Sequence, residues 1–183
     1  MTITEFAILP FKLPPNLSDP TLQSLFQKLS AWQSECSGFP LLFFTNPNDP
    51  LQIHLITGWT SVAAHEVWVR GERNQELLRV FAPYVEIQRV RMVHLGVDFE
   101  AIPKYARWMV VERHGDERRA EASTSCEWAA GSDQSRWSLI GRDLALDGGD
   151  VYRFVGVAGG GEVEEVSGGL APIERWVLKR VEL

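Results

Sequence analysis

The sequence predicts an α+β fold, and three observations carry that prediction. Strand-like and helix-like segments alternate through the first hundred residues. A long apolar helical stripe is followed by two β-prone runs joined at a dense turn signal, NPNDP at 46–50. A second helical stretch then gives way to one further strand.

Each element has its own signal. Residues 3–12 (ITEFAILPFK) are apolar and β-prone and are stopped by Pro14 and Pro15. Ser18 or Asp19 can cap a helix whose first turn accepts Pro20. Leu22, Leu25, Phe26, Leu29 and Trp32 recur at spacings of three and four, one apolar face running to about Glu35, and Gly38 closes it. Residues 39–45 and 51–59 form a hairpin across the turn. Ser61 caps a second helix, which Gly71 kinks or divides and Pro83 helps to end. Residues 87–97 (IQRVRMVHLGV) supply the last strand. The order β-α-β-β-α-β is the ferredoxin-like pattern, and it occupies residues 1–101.

Residues 102–183 carry strand signals at 108–112, 136–140, 150–157 and 173–181, with Trp176 and Leu178 on one face of the last. The charged run after Glu112 is expected in solvent, and 158–169 (AGGGEVEEVSGG) as a loop. Two organisations fit: a degenerate second copy of the first unit, or a β-rich extension. The copy is preferred. A ferredoxin-like unit has helices on one side only, so its other sheet face needs a cover.

Composition narrows the function classes. The 183 residues, 45% hydrophobic with seven Trp and nine Phe, suffice for one substantial domain or two small ones. A formal charge of -6, with Arg113, Arg118 and Arg119 interleaved among Glu112, Asp116, Glu117 and Glu121, argues against a nucleic-acid partner. The start lacks a positive n-region and reads as a strand rather than a secretory signal, and no apolar run approaches the length of a membrane span. Cys36 and Cys126 lie far apart and read as free thiols of a reducing cytoplasm.

Histidine is the residue suited to acid–base work near neutral pH, and there are four. By period two, His54 shares a strand face with Gln52, Ile56 and Gly58, and His94 shares one with Val90, Met92 and Gly96. The two could face one cavity. His65 lies on the second helix with Trp68 three residues on, and His114 is expected in solvent. Zinc is not expected, because neither H-x-x-x-H nor Cys/His spacing occurs. Tyr84 and Tyr105 could orient a phenolic or enolic substrate, and Asn74 could hydrogen-bond an oxyanion. Trp59, Trp68 and Trp108 could line an aromatic pocket. The run Gly159–Gly161 is no phosphate loop, since Glu162, Glu164 and Glu165 follow it. No G-x-S-x-G is present, and nothing marks a flavin or nicotinamide site.

Residues 58–85 (GWTSVAAHEVWVRGERNQELLRVFAPYV) carry a resemblance. Trp59, Ser61, His65, Trp68, Asn74, Leu77, Leu78 and Pro83 make the segment similar to the fungal branch of the antibiotic biosynthesis monooxygenase-like, dimeric α/β-barrel superfamily. The resemblance covers about half the chain. It implies two sheets packed face to face, from an internal repeat or a homodimer. It also implies a cofactor-free cyclase or monooxygenase acting on an aromatic or polyketide-like metabolite. With no securely placed axial histidine, a haem is not expected. His54, His65 and His94 are the candidate catalytic groups, and Trp59, Trp68, Asn74, Tyr84 and Tyr105 the candidate substrate contacts. The rival expectation is a non-catalytic small-molecule-binding or structural protein on the same fold.

Overall fold

The computed structural model describes residues 2–115, 136–145, 149–157 and 171–183. Strand β1 (Ile3–Pro10) leads to helix α1 (Pro20–Ser37). Of the two candidate caps, Asp19 takes the role: its carboxylate accepts from the Leu22 N–H at 3.0 Å. Gly38 ends the helix at φ 80°, where a side chain would be strained, and donates its N–H to Ser34. Strands β2 (Leu42–Asn46) and β3 (Asp49–Trp59) form the expected hairpin. Ser61 caps α2 (Val62–Arg70), and α3 (Glu72–Phe81) follows after an extended Gly71, so the glycine divides the helix rather than bending it.

Strand β4 covers only Arg91–Leu95, because Ile87–Arg89 wind into a single 3-10 turn. Four strands follow: β5 (Trp108–His114), β6 (Arg136–Arg142), β7 (Val151–Val157) and β8 (Glu174–Val181). The glycine-rich stretch 158–169 and most of the charged run after Glu112 lie outside the described residues.

The eight described strands pair antiparallel in the order β4-β1-β3-β2-β8-β5-β7-β6. The two ends of this sheet meet at a bridge between Leu95 and Asp143, which nearly closes a barrel of the ferredoxin-like, dimeric α/β type. The order β8-β5-β7-β6 repeats β4-β1-β3-β2, and the pairing registers repeat with it. One frame sets Phe6 against Val111, Gly58 against Gly156, Leu95 against Leu178, His54 against Tyr152 and Arg91 against Glu174. The glycines serve one purpose in both halves. A Cβ would come within 2.6 Å of the Phe99 ring at Gly58 and 2.4 Å of the Trp137 ring at Gly156.

Period-two alternation on the strands sorts the apolar residues into two cores. Phe6, Ile8, Phe44, Ile56, Phe154 and Leu178 fill the barrel. Ala7, Phe43 and Leu55 face the other way and meet Phe26, Trp68 and Phe81 from the helices. Each such Phe or Leu contributes roughly 1.5–3 kcal/mol on leaving water. Among the described residues, no helix is long and apolar enough to cross a membrane.

Candidate functional site

Register decides which histidines meet. His54 pairs across the sheet with Ile8, and His94 pairs with Glu5. These β1 residues point to opposite faces, so His54 enters the barrel while His94 faces the helices. The expectation of one shared cavity is thereby corrected. The odd separation of the two β1 partners is invisible until the strands are paired.

On the helix face His94 meets His65 from α2, with His65 Nδ1 2.6 Å from His94 Nε2. The other His65 nitrogen, Nε2, lies 3.4 Å from Glu5 Oε2. Glu5 is sealed from solvent and accepts from the Trp59 indole at 2.7 Å and the Gln33 amide at 3.0 Å. Burial pushes the Glu5 carboxyl up to about 7, against the pull of those two donors. Burial brings His65 down to about 3, with His94 adding to the effect. His94 is also lowered by burial, opposed by the carboxylates of Asp143 and Glu66. Glu5 and Gln33 were not singled out from the sequence. Their signal was there: Glu5 shares its strand face with Ala7 and Leu9, and Gln33 continues the Leu22, Phe26, Leu29 stripe.

On the other side of the sheet the barrel mouth holds a pocket of about 390 Å³. Residues of β1 and β4 line one part of it, and Arg113 of β5, Tyr152 of β7 and Glu174 and Trp176 of β8 line the other. Val90, Arg91, Met92 and Val93 are consecutive lining residues, so the pocket follows the edge of β4 and touches both its faces. Phe6, Tyr152 and Trp176 make an aromatic floor in which Phe6 meets the other two edge-on. The rim is ionic. Arg91 pairs with Glu174 at 2.8 Å, and Arg113 pairs with Glu174 at 2.7 Å and Asp150 at 2.6 Å. Asp143 completes it. Burial raises Tyr152 to about 12, so its phenol stays neutral.

His54 lies behind the floor, stacked on Phe6 and edge-on to Trp176. It is fully buried, and among the described residues neither ring nitrogen has a hydrogen-bond partner. Burial, with Arg91 nearby, lowers it to about 3, which keeps it neutral.

The remaining candidates are scattered. Trp59 joins the Glu5 cluster, while Trp68 packs in the helix–sheet core. The Asn74 amide donates to the Val69 carbonyl at 2.9 Å across the α2–α3 break. Tyr84 lines a separate apolar groove with Phe11, Leu13 and Pro14. Tyr105 is 71% exposed. His114, expected in solvent, is buried, because the alternation of β5 places it on one face with Val110 and Glu112, and it lies 3.6 Å from Glu112. Cys36 is an exposed free thiol, and Cys126 lies outside the described residues. Among the described residues, no three His, Cys, Asp or Glu side chains are grouped to hold a metal ion.

Comparison with known proteins places this geometry in a structural context. No family model matches the chain, and no curated protein matches it. Solved structures do. A "putative monooxygenase" from Lactobacillus acidophilus aligns with a TM-score of 0.57 at 9% identity, over 98% of this chain and 93% of its own. A second "putative monooxygenase", from Fusobacterium nucleatum, gives 0.58 at 10% identity, over 99% and 93%. A "putative chlorite dismutase" gives 0.56 at 7% identity, over 98% and 95%. At such identities the likeness is one of fold, and it extends over both halves of the chain.

Proposed function

We propose that this chain binds a small aromatic or polyketide-like molecule in the pocket at the barrel mouth. The observation that carries the reading is the division of a 390 Å³ space into an aromatic floor and an ionic rim. Phe6, Tyr152 and Trp176 offer edges to a planar ring, while Arg91, Asp143 and the Tyr152 phenol offer partners to its hydroxyl or carbonyl groups. Two arginines against three carboxylates suit a polar neutral molecule better than a multiply charged anion. Calorimetric titration with 2-naphthol and 4-nitrophenol tests the reading, with Val93→Trp as the pocket-filling variant. We expect binding that Val93→Trp weakens at least tenfold without changing the fold. Absent binding, or binding indifferent to Val93→Trp, contradicts it.

The catalytic form of this reading is histidine-assisted proton transfer, as in a cofactor-independent cyclase or monooxygenase, and the Glu5–His65–His94 contact favours it. Removing a proton from an activated carbon or phenol leaves an enolate or phenolate that can cyclise or meet dioxygen. Hydrogen–deuterium exchange at the methylene of benzoylacetone tests this form: wild type should exceed His94→Gln, and a rate equal to buffer removes it. The repeated strand order supports residues 1–101 and 102–183 as two copies forming a pseudo-dimer within one chain. Kinship with the fungal monooxygenase-like branch rests on Trp59, Ser61, His65 and the residues that follow them.

A further inference from the structure

We propose that the open edge of β4 sets the selectivity of the mouth pocket, where the Met92 backbone N–H and C=O recognise a planar aromatic lactam. The inference rests on the ligand site proposed above and adds to it the class of ring that the site prefers.

The direction of the Met92 groups follows from the seam between β4 and the end of β6. Gly96 donates its N–H to the Arg142 carbonyl at 2.9 Å, and the His94 carbonyl accepts the Leu144 N–H at 2.7 Å. Both residues thus turn these backbone groups away from β1. Alternate residues of a strand direct N–H and C=O to the same side, so those of Met92 point the same way. Arg91, Val93 and Leu95, between them, face their β1 partners Ile8, Phe6 and Thr4. The seam goes no further. Leu95–Asp143 is its one bridge, and among the described residues no backbone hydrogen bond reaches Met92 from that side.

The pocket comes to that edge. It touches Met92 as well as Arg91 and Val93, whose side chains lie on the other face of the strand. Because β1 closes one side of β4, a space that meets both faces has to pass around the open side. The open stretch is short. The His94 carbonyl is bonded to Leu144, and Val90 turns its N–H back to the Ile87 carbonyl at 3.3 Å. Among the described residues of β4, Met92 alone presents a donor and an acceptor together at this edge. An added peptide strand would pair over several residues, whereas a single donor–acceptor pair matches one edge of a small ring.

The choice of ring follows from that pair. A phenol lying on the floor of Phe6, Tyr152 and Trp176 satisfies at most one of the two backbone groups and covers the other. A polar group buried without a partner costs more than one hydrogen bond returns. A lactam carries an N–H beside a C=O in the plane of its ring. Its N–H donates to the Met92 carbonyl, its C=O accepts the Met92 N–H, and its face is left for the aromatic floor. Such a ring is neutral, in keeping with a rim whose arginines are already paired with carboxylates.

The test compares 2-quinolinone with its isostere 2-naphthol by calorimetric titration. We expect 2-quinolinone to bind at least fivefold tighter, and 1-methyl-2-quinolinone, which lacks the N–H, to bind at least fivefold more weakly than its parent. Met92→Pro deletes the backbone donor, at a position where the N–H lies outside the β1–β4 ladder and an edge strand tolerates proline. It should bring the preference for 2-quinolinone over 2-naphthol below about twofold. A 2-quinolinone that binds no tighter than 2-naphthol, or a preference that survives Met92→Pro, overturns the lactam inference and leaves the pocket standing. Absence of binding by either probe overturns the pocket, and the inference with it. Should Met92→Pro fail to fold, N-methylation decides on the wild type: 1-methyl-2-quinolinone binding as tightly as its parent overturns the inference.

Discussion

The two halves of the barrel share a strand order and a register but place their buried charge differently. In the first half, the helix-facing row through β1 is His94, Glu5 and Thr57, where the second half has Val177, Val110 and Val155. The next row reverses the contrast. The first half has Met92, Ala7 and Leu55, where the second has Arg175, Glu112 and Arg153. Glu112 lies 3.5 Å from Arg175 and 3.7 Å from Arg153, so its charge is matched locally. Among the described residues, Glu5 has the uncharged donors Trp59 and Gln33 and a histidine held neutral. A matched carboxylate serves as structure, whereas an unmatched one is poised to exchange its proton.

The largest expected effect isolates Glu5. Its carboxyl is raised from 4.5 to about 7, so the folded chain holds that proton more tightly than the unfolded one. The resulting stabilisation is complete below about pH 4.5 and is lost as the pH rises through about 7. Denaturant titrations of wild type against Glu5→Gln should show a difference that changes by on the order of 3 kcal/mol across that window. A pH-independent difference would break the contrast between the halves. His54 and His65 act with the opposite sign. Each is lowered from 6.5 to about 3, so stability is lost as the pH falls below about 6.5. Acid unfolding should therefore be delayed in His54→Leu.

The next effect tests the repeat itself. Gly58→Ala and Gly156→Ala should each cost roughly 1–3 kcal/mol, since the new Cβ would press on an aromatic ring in both halves. Unequal costs, one large and one near zero, would weaken the equivalence of the two strands. Arg175→Ala should cost about 1 kcal/mol in thermal unfolding through the loss of one of the cations around Glu112. The smallest change is Arg70→Ala on the exposed face of α2, within about 0.5 kcal/mol, because its pair with Glu66 is in solvent.

Much of this fold was legible in the sequence, and the reasons are local. The stripe on α1, the caps at Asp19 and Ser61 and the turn at 46–50 act over a few residues, so pattern alone finds them. The shortening of β4 depended on the 3-10 turn at 87–89, which forms where the Glu86 N–H donates to the Pro10 carbonyl on a distant segment. The candidate site was legible only in part. His65 and His94 stood out by residue type, but their meeting depends on the β1–β4 register. Glu5 passed as an ordinary strand charge because burial by α1 and Gln33 is a tertiary event. The mouth pocket brings β1 and β4 together with β5, β7 and β8, strands from the two halves of the sequence that carry no shared local signal.

A crystal structure of the chain with bound 2-naphthol tests the central claim most directly. The account predicts the ring lying on the floor made by Phe6, Tyr152 and Trp176, with its hydroxyl turned towards Asp143. A naphthol bound away from the β4 edge, or a mouth closed by Trp176 and Phe6 with no ligand at saturation, would contradict it.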